Sequence, residues 1–390
     1  MQRRTFLVAS SLATPLWADD PLRVGVIGSG GRGRYLTEQF KEVGAQVAAV
    51  CDIYEANLKK GLAVASTGTV SFGDYRKLLD DKSLQAVVIA TPDHWHARMA
   101  IDAVNAGKDV YLEKPLAHTI DEGFALIDAV RKTKRILQVG TQRRSAELFQ
   151  KAVQYAAPSE IGDVRLVTSM WLNHQAGLSS QKLDGKLDWK QWLGSTPNRE
   201  LDETRFFNWY YYWDYSGGLL VGQAAHIVDT IQWYMNSKEP VAVTCTGGKV
   251  NLTGAEVPET ANLVIEYPEN YLATFTLGYK AMRYNPFNDQ LVQFHGSKAR
   301  LDLGRESYAL YKESNAVEMK PSVDVKQPGS FSSATRSHIR NFFESIRTRR
   351  DPSAPVEAGQ ATNIVLCMAM ESLRIGRRLR WNTKTRRSEA

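Results

Sequence analysis

Cysteine is scarce: Cys51, Cys245 and Cys367 are the only three among 390 residues. They are scattered and lack metal-ligand spacing, so no disulfide framework is implied. No apolar run is long enough to span a bilayer. Internal repeats and low-complexity segments are missing, which argues against a solenoid or a disordered chain. Histidine clusters only at His94 and His96, whose i, i+2 spacing makes them diverge on a helix, so no metal is expected. Acidic excess is also lacking. The net charge is +7, and much of it sits in the terminal RIGRRLRWNTKTRR, where arginines flank Ile375, Leu379 and Trp381. That pattern reads as the solvated end of an amphipathic helix rather than as a nucleic-acid surface.

What is present begins with an unusual start. Gln2-Arg3-Arg4-Thr5-Phe6-Leu7 leads into a short apolar run ending at Trp17, then Ala18-Asp19-Asp20. Paired arginines followed by Phe-Leu look like a twin-arginine export signal over residues 1–20, giving a periplasmic expectation. Leu16 departs from the small-residue rule for a cut after Ala18. The remaining length suits two domains, each with its own core.

Leu22 to Ile27 reads as a strand running into Gly28-Ser29-Gly30-Gly31-Arg32-Gly33, a G-x-G-x-x-G turn at the start of a helix. Such glycines let backbone amides approach a pyrophosphate. The second strand, Gln46 to Cys51, ends in Asp52, where a carboxylate accepts from ribose hydroxyls and favours NAD over NADP. Ala86 to Ala90 is a buried strand, a helix follows to Gly107, and Val110 to Leu112 is its parallel partner. Ligands gather at the carboxyl ends of such strands. Those ends carry Thr91, Asp93, His94 and His96, then Glu113 and Lys114, then Gln142 and Arg143. The expectation is a doubly wound, Rossmann-type parallel α/β domain over 21–145, with all of these except Arg143 as cofactor contacts together with Gly28, Ser29, Gly30, Arg32, Gly33 and Asp52.

From residue 146 to 390 the pattern changes to an α+β domain on an open, largely antiparallel sheet. Strands are expected at 164–171, 241–249, 261–267, 272–278, 291–295 and 299–303. Helices are expected at 219–235, 337–346 and 358–379, the last two packing back across both domains. Residues 209–215 (WYYYWDY) cannot all face one core, so some line a cleft, and aromatic faces suit sugar rings. Arg143, Asn173, His174, Trp209, Tyr212 and Asp214 are accordingly candidate sugar ligands.

The glycine loop at 28–33, Thr91-Pro92-Asp93-His94-Trp95-His96, the AGKDVYLEKP run at 106–115, and Gly217-Gly218 before a helical histidine together resemble the glucose–fructose oxidoreductase / inositol dehydrogenase / MocA family. The resemblance runs almost the length of the chain, to GRRLRW at 376–381. It implies NAD(P) held between a Rossmann domain and a sheet domain, with Lys114 and His226 catalytic and both touching substrate. The family commonly places an aspartate one turn before this histidine; here that position is Gly222, unless Asp214 or Asp229 supplies the carboxylate. Lys114 has its own physical case, since a partly buried lysine beside a cationic nicotinamide has a lowered pKa and can relay a hydroxyl proton.

Outside the cytoplasm no NAD pool recycles a reduced cofactor. The resemblance implies sugar 3-dehydrogenases and nicotinamide-dependent glycosidases among exported relatives, and of these the location favours a redox-neutral glycosidase that keeps its NAD tightly bound, with a tyrosine such as Tyr212 assisting. A sugar dehydrogenase, a sugar–sugar oxidoreductase and a non-catalytic NAD-bound sugar-binding protein are the alternatives. Its partner would be a small carbohydrate, with no nucleic acid and no membrane once the signal is removed. An open sheet face invites a homo-oligomer.

Overall fold

Short apolar runs without polar alternation form a sheet buried on both faces. These are β1 (Arg23–Ile27), β2 (Gln46–Cys51), β3 (Val70–Phe72), β4 (Ala86–Ile89), β5 (Asp109–Leu112) and β6 (Leu137–Val139). The computed structural model describes residues 21–173, 177–279, 281 and 289–390; the expected export signal and His174 lie outside them. Every pairing in the order β3-β2-β1-β4-β5-β6 is parallel. The order reverses between β1 and β4, the switch point where such sheets open a crevice for ligands. Helix Gly31–Glu42 follows β1, and helix Asp93–Asn105 links β4 to β5. The expected capping box opens helix Ile120–Thr133: Glu122 N donates to Thr119 Oγ1 at 3.2 Å, and Thr119 N donates to Glu122 Oε2 at 2.9 Å.

The second domain carries β7 (Val164–Asn173), β8 (Ala242–Gly247), β9 (Thr260–Tyr267), β10 (Tyr271–Tyr279), β11 (Val292–Gly296), β12 (Ala299–Leu303), β13 (Ser307–Lys312), β14 (Val323–Lys326), β15 (Leu379–Asn382) and β16 (Arg387–Glu389). They lie in the order β14-β13-β12-β11-β7-β10-β9-β8-β15-β16, antiparallel except for β7 beside β10. Burial alternates along β9 and β10, so one face packs while the other stays open. Leu263, Ile265, Phe275 and Leu277 pack with Leu220, Ile227 and Ile231 of helix Gly218–Met235.

The chain's end differs from its sequence reading. Helix Val356–Ile375 stops at Gly376, whose φ of +68° ends it in a left-handed turn. Buried Leu379 and Trp381 then alternate with exposed Arg380, a period of two that suits a strand. The arginine-rich end is thus the β15–β16 edge of the sheet, with β15 paired to β8, rather than a helix end. Strands β13 and β14 were not anticipated either.

Both late helices pack against the first domain, Gln360 Nε2 donating to Ile120 O at 3.0 Å. Helix Ser330–Thr348 sends Ile339, Phe342 and Ile346 into its core beside Phe40 and Tyr111. Residues 177–216 also return: Leu187 forms a β-bridge with Tyr54, and Glu55 N donates to Lys186 O at 2.9 Å. Among the described residues no helix is long and apolar enough to cross a membrane.

Candidate active site

The glycine turn closes tightly on itself. Gly28 has φ +85°, and a Cβ there would lie 2.8 Å from Ala90 O. A Cβ on Gly33 would lie 1.8 Å from Gly28 O, so neither position accepts a side chain. Gly31 meets nothing within 4 Å and Gly30 only Asn57 Nδ2 at 3.9 Å. The turn is therefore packed inward and open outward, at the N-terminus of a 12-residue helix, which is a cradle for a pyrophosphate. The opening leads into a cavity of about 550 Å³ that Asp52, Thr91 and Arg32 also line. Thr91 Oγ1 is buried without a partner. These residues fit a dinucleotide.

Asp52 follows directly on β2. Its Oδ2 accepts from Ser29 N at 2.8 Å and from Ser29 Oγ at 3.2 Å, and its Oδ1 accepts from Tyr54 N at 2.9 Å. Burial pushes its carboxyl pKa up, and these donors oppose the rise. Ser29 is spent on fixing the carboxylate rather than free for the cofactor. Arg34, Asn57 and Lys60 line the same cavity; sequence reasoning missed them because nothing in their spacing marks them.

At the end of β5, Glu113 and Lys114 diverge, as neighbours on an extended strand must. Glu113 is buried and accepts from Arg32 Nε at 2.7 Å. Half-buried Lys114 precedes a cis Pro115, and its Nζ donates to Gly222 O at 3.1 Å. Burial pulls its pKa below the ordinary lysine value, and Glu113 and Asp93 oppose that. His226, one turn after Gly222, is buried, stacks on Trp171 at 6.2 Å and leaves Nδ1 without a partner. Burial first, then the charges of Lys114, Arg143 and Arg32, hold its pKa well below 6.5. The two groups thus share one site, with the imidazole neutral at neutral pH and able to accept a proton.

The place left by Gly222 is filled. A Cβ there would fall 1.2 Å from Tyr210 Oη and 2.3 Å from Tyr210 Cζ. The Tyr210 hydroxyl therefore stands where a longer residue 222 would begin. Burial pushes its pKa well above 10, keeping it an O–H donor. Asp214 and Asp229 do not supply the missing carboxylate. Asp229 accepts from Arg144 Nε at 2.8 and 3.0 Å, and Asp214 pairs with Arg199 at 2.7 Å.

Two models of one family match in succession: "Oxidoreductase family, NAD-binding Rossmann fold" over residues 22–141 and "GFO/IDH/MocA C-terminal domain" over 149–302. The chain belongs to the GFO/IDH/MocA family. As a member it is an NAD-binding oxidoreductase-family enzyme. A glycosyl hydrolase family 109 protein from a Shewanella species is 38% identical over 125 residues, 30% of this chain and 27% of that protein. An alpha-N-acetylgalactosaminidase of Shewanella oneidensis is 36% identical over 126 residues, 29% of this chain and 27% of its own. The chain thus matches about a quarter of the length of these relatives. Among solved structures, an oxidoreductase domain protein from Kribbella flavida superposes with a TM-score of 0.75 at 20% identity, covering 92% of this chain and 98% of that one. A levoglucosan dehydrogenase in complex with NADH and levoglucosan gives 0.73 at 18%, covering 92% and 99%. At these identities the likeness is one of fold.

Within this GFO/IDH/MocA frame several expected contacts move. Tyr212 is buried in an aromatic cluster with Tyr54, Trp192 and Tyr215, under the Arg205 guanidinium at 4.2 Å; the tyrosine that reaches Gly222 is Tyr210. Asp214 is ion-paired to Arg199 at 2.7 Å. Trp209 lines the dinucleotide cavity instead of a sugar cleft. His94 and His96 serve the fold rather than the cofactor: His94 Nε2 lies 3.0 Å from Trp192 O, and His96 spans Pro115 O at 2.6 Å and Thr91 O at 3.0 Å. Asp93 caps this arrangement by accepting from Ser216 Oγ at 2.6 Å. Arg143 is fully buried over Phe149 and Trp171, its Nη2 donating to Gln290 Oε1 at 2.6 Å. Gln142 is buried beside it with Oε1 unpartnered. Asn173 ends the strand that carries Trp171 and shares its face. Trp171 was missed, although its position two residues before Asn173 pointed to it.

Proposed function

We propose that this chain is a redox-neutral glycosidase. A sugar hydroxyl, most simply at C3, is oxidised transiently to a ketone, which acidifies the C2 proton. Loss of that proton expels the C1 substituent, water adds at C1 as a proton returns to C2, and the ketone is reduced back. NAD, when bound by the glycine turn and Asp52, supplies reversible hydride acceptance. The side chains move the protons. Lys114, desolvated and set on the Gly222 carbonyl, is suited to take the hydroxyl proton as the free amine. Neutral His226 offers Nδ1 as an acceptor for the C2 proton, and Tyr210 is an O–H donor for the departing oxygen.

The observation that carries this reading is the placing of the half-buried Lys114 amine on the carbonyl of Gly222, one helical turn before the buried His226, whose Nδ1 has no partner. The names of the Shewanella relatives support the glycosidase branch and make α-N-acetylgalactosaminides the first substrates to try. The export expected from residues 1–20 supports it too, because a simple dehydrogenase there would stall after one turnover.

The test is turnover of α- and β-nitrophenyl glycosides by purified protein without added NAD. Repeated release with no net NADH is the expected result, lost in Lys114→Ala while NAD stays bound. NADH in proportion to enzyme on adding free sugars, with no nitrophenol, would instead identify a dehydrogenase or a sugar–sugar oxidoreductase. Sugar binding with no exchange of carbon-bound hydrogen would leave a binding protein.

A further inference from the structure

The second domain does more than cover the cofactor cavity at its mouth. Residues 177–216 leave the sheet, cross to the first domain and lie along the segment that follows β2. Leu187 bridges Tyr54, Asp188 N donates to Ile53 O at 3.1 Å, and Asp184 N donates to Tyr54 Oη at 2.7 Å. Further on, Trp192 O accepts from Trp95 Nε1 at 2.8 Å. The excursion is closed into a loop by Asn208, whose side chain accepts from Ser179 N at 2.6 Å and donates to Ser179 O at 2.9 Å. Tyr54, Trp192, Phe206 and Tyr215 pack between the two layers. Half-buried Phe207 and Trp209, with Lys182, then face the same cavity as Asp52.

We propose that residues 177–216 are a cofactor lock. Phe207 and Trp209 form an aromatic wall against the adenosine half of NAD, and the tethers at Tyr54 and Trp95 must release before NAD leaves. Three observations support this. The wall belongs to the cavity that the ribose-binding carboxylate marks. Its aromatic faces remain partly open, although their neighbours Phe206 and Tyr215 are buried. The strap is fixed to both sides of that cavity, by backbone bonds at Ile53–Glu55 and by the Trp95 indole N–H on Trp192 O. The inference deepens the glycosidase reading, which needs a cofactor that stays through many cycles, and rests on it for its purpose but not for its test.

The protein is loaded with labelled NAD, freed of excess by gel filtration and chased with unlabelled NAD. Retention over hours is expected for the native chain. Trp209→Ala and Phe207→Ala should each release NAD about tenfold faster or more, the scale of losing one base–aromatic stack. Tyr54→Phe, which removes the Asp184 tether and leaves the wall, should also accelerate release. Hydrogen exchange on the unmutated protein gives a second reading independent of variants: NAD should slow the amides of Asp184 and Asp188 about tenfold or more. Release of native NAD as fast as from Trp209→Ala, or no protection of those amides, would overturn the lock. A retained cofactor with no glycoside turnover would instead remove the glycosidase reading and leave the lock standing.

Discussion

Replacing Gly222 with alanine adds one methyl group where the Tyr210 hydroxyl already sits. The new Cβ would be 1.2 Å from Tyr210 Oη and 2.9 Å from Tyr210 Cε2. Ordinary contact is about 3.5 Å, so the ring must withdraw by roughly 2 Å. It has little freedom to do so, being edge-packed on Trp209 at 5.5 Å and on Tyr211 at 6.0 Å. Overpacking of this kind costs about 1–3 kcal/mol, and each kcal/mol lowers Tm by about 2–4 °C in a domain of this size. Gly222→Ala should therefore melt several degrees lower and lose turnover, because the carbonyl that holds Lys114 shifts with the helix. Tyr210→Ala opens the space, so the double variant Gly222→Ala/Tyr210→Ala should be less destabilised than the two singles summed, by about 1 kcal/mol or more. Denaturant unfolding of the four proteins measures the cycle. Strict additivity, with Gly222→Ala as stable as the parent, would refute the claim that the tyrosine occupies the place of a longer residue 222.

Asp52→Ser removes the carboxylate that repels a 2′-phosphate while Arg34 and Lys60 remain in the cavity, so the NAD-over-NADP preference should fall at least tenfold in fluorescence titrations. His94 and His338 are pushed down to about 4 by burial, whereas the unfolded chain protonates each near 6.5. The unfolded state binds more protons between those values, so stability falls as pH drops through that window, by up to about 3 kcal/mol per histidine. Urea unfolding at pH 7 and pH 5 checks this, and His338→Gln should flatten the dependence.

Much of the first domain was legible because its signals are local. The turn at 28–33, the apolar run 86–90 and the capping box at Thr119 each act within a few residues of themselves. Lys114 and Asp52 were legible for the same reason, since strand ends place them. Tyr210 was not. It lies in a short 3-10 turn, Trp209–Tyr211, where ring direction is set by packing against helix Gly218–Met235 rather than by any period in the sequence. The vacancy at Gly222 was the available clue, because a buried helix missing a side chain needs a filler. His94 and His96 misled for a related reason: their strand-end position was read correctly, but the carbonyl of Trp192, 98 residues away, meets His94 Nε2, and those of Pro115 and Thr91 meet both nitrogens of His96. The terminal arginines hid a period-two strand that only Gly376 announced.

The return of helix Ser330–Thr348 has a consequence for synthesis. Phe342 and Ile346 fill the first domain's core against Phe40 and Tyr111, so that core stays unfinished until they emerge. At ribosomal rates of about 5–20 residues per second, roughly 200 residues separate the end of β6 from these side chains, a delay of about 10–40 s. During it the nascent Rossmann sheet presents an open apolar socket, and a fragment ending near residue 145 would carry that socket permanently. A soluble nucleotide-binding fragment cut from this chain would need residues 330–348 returned to it, and a chaperone attending translation would find its binding site there.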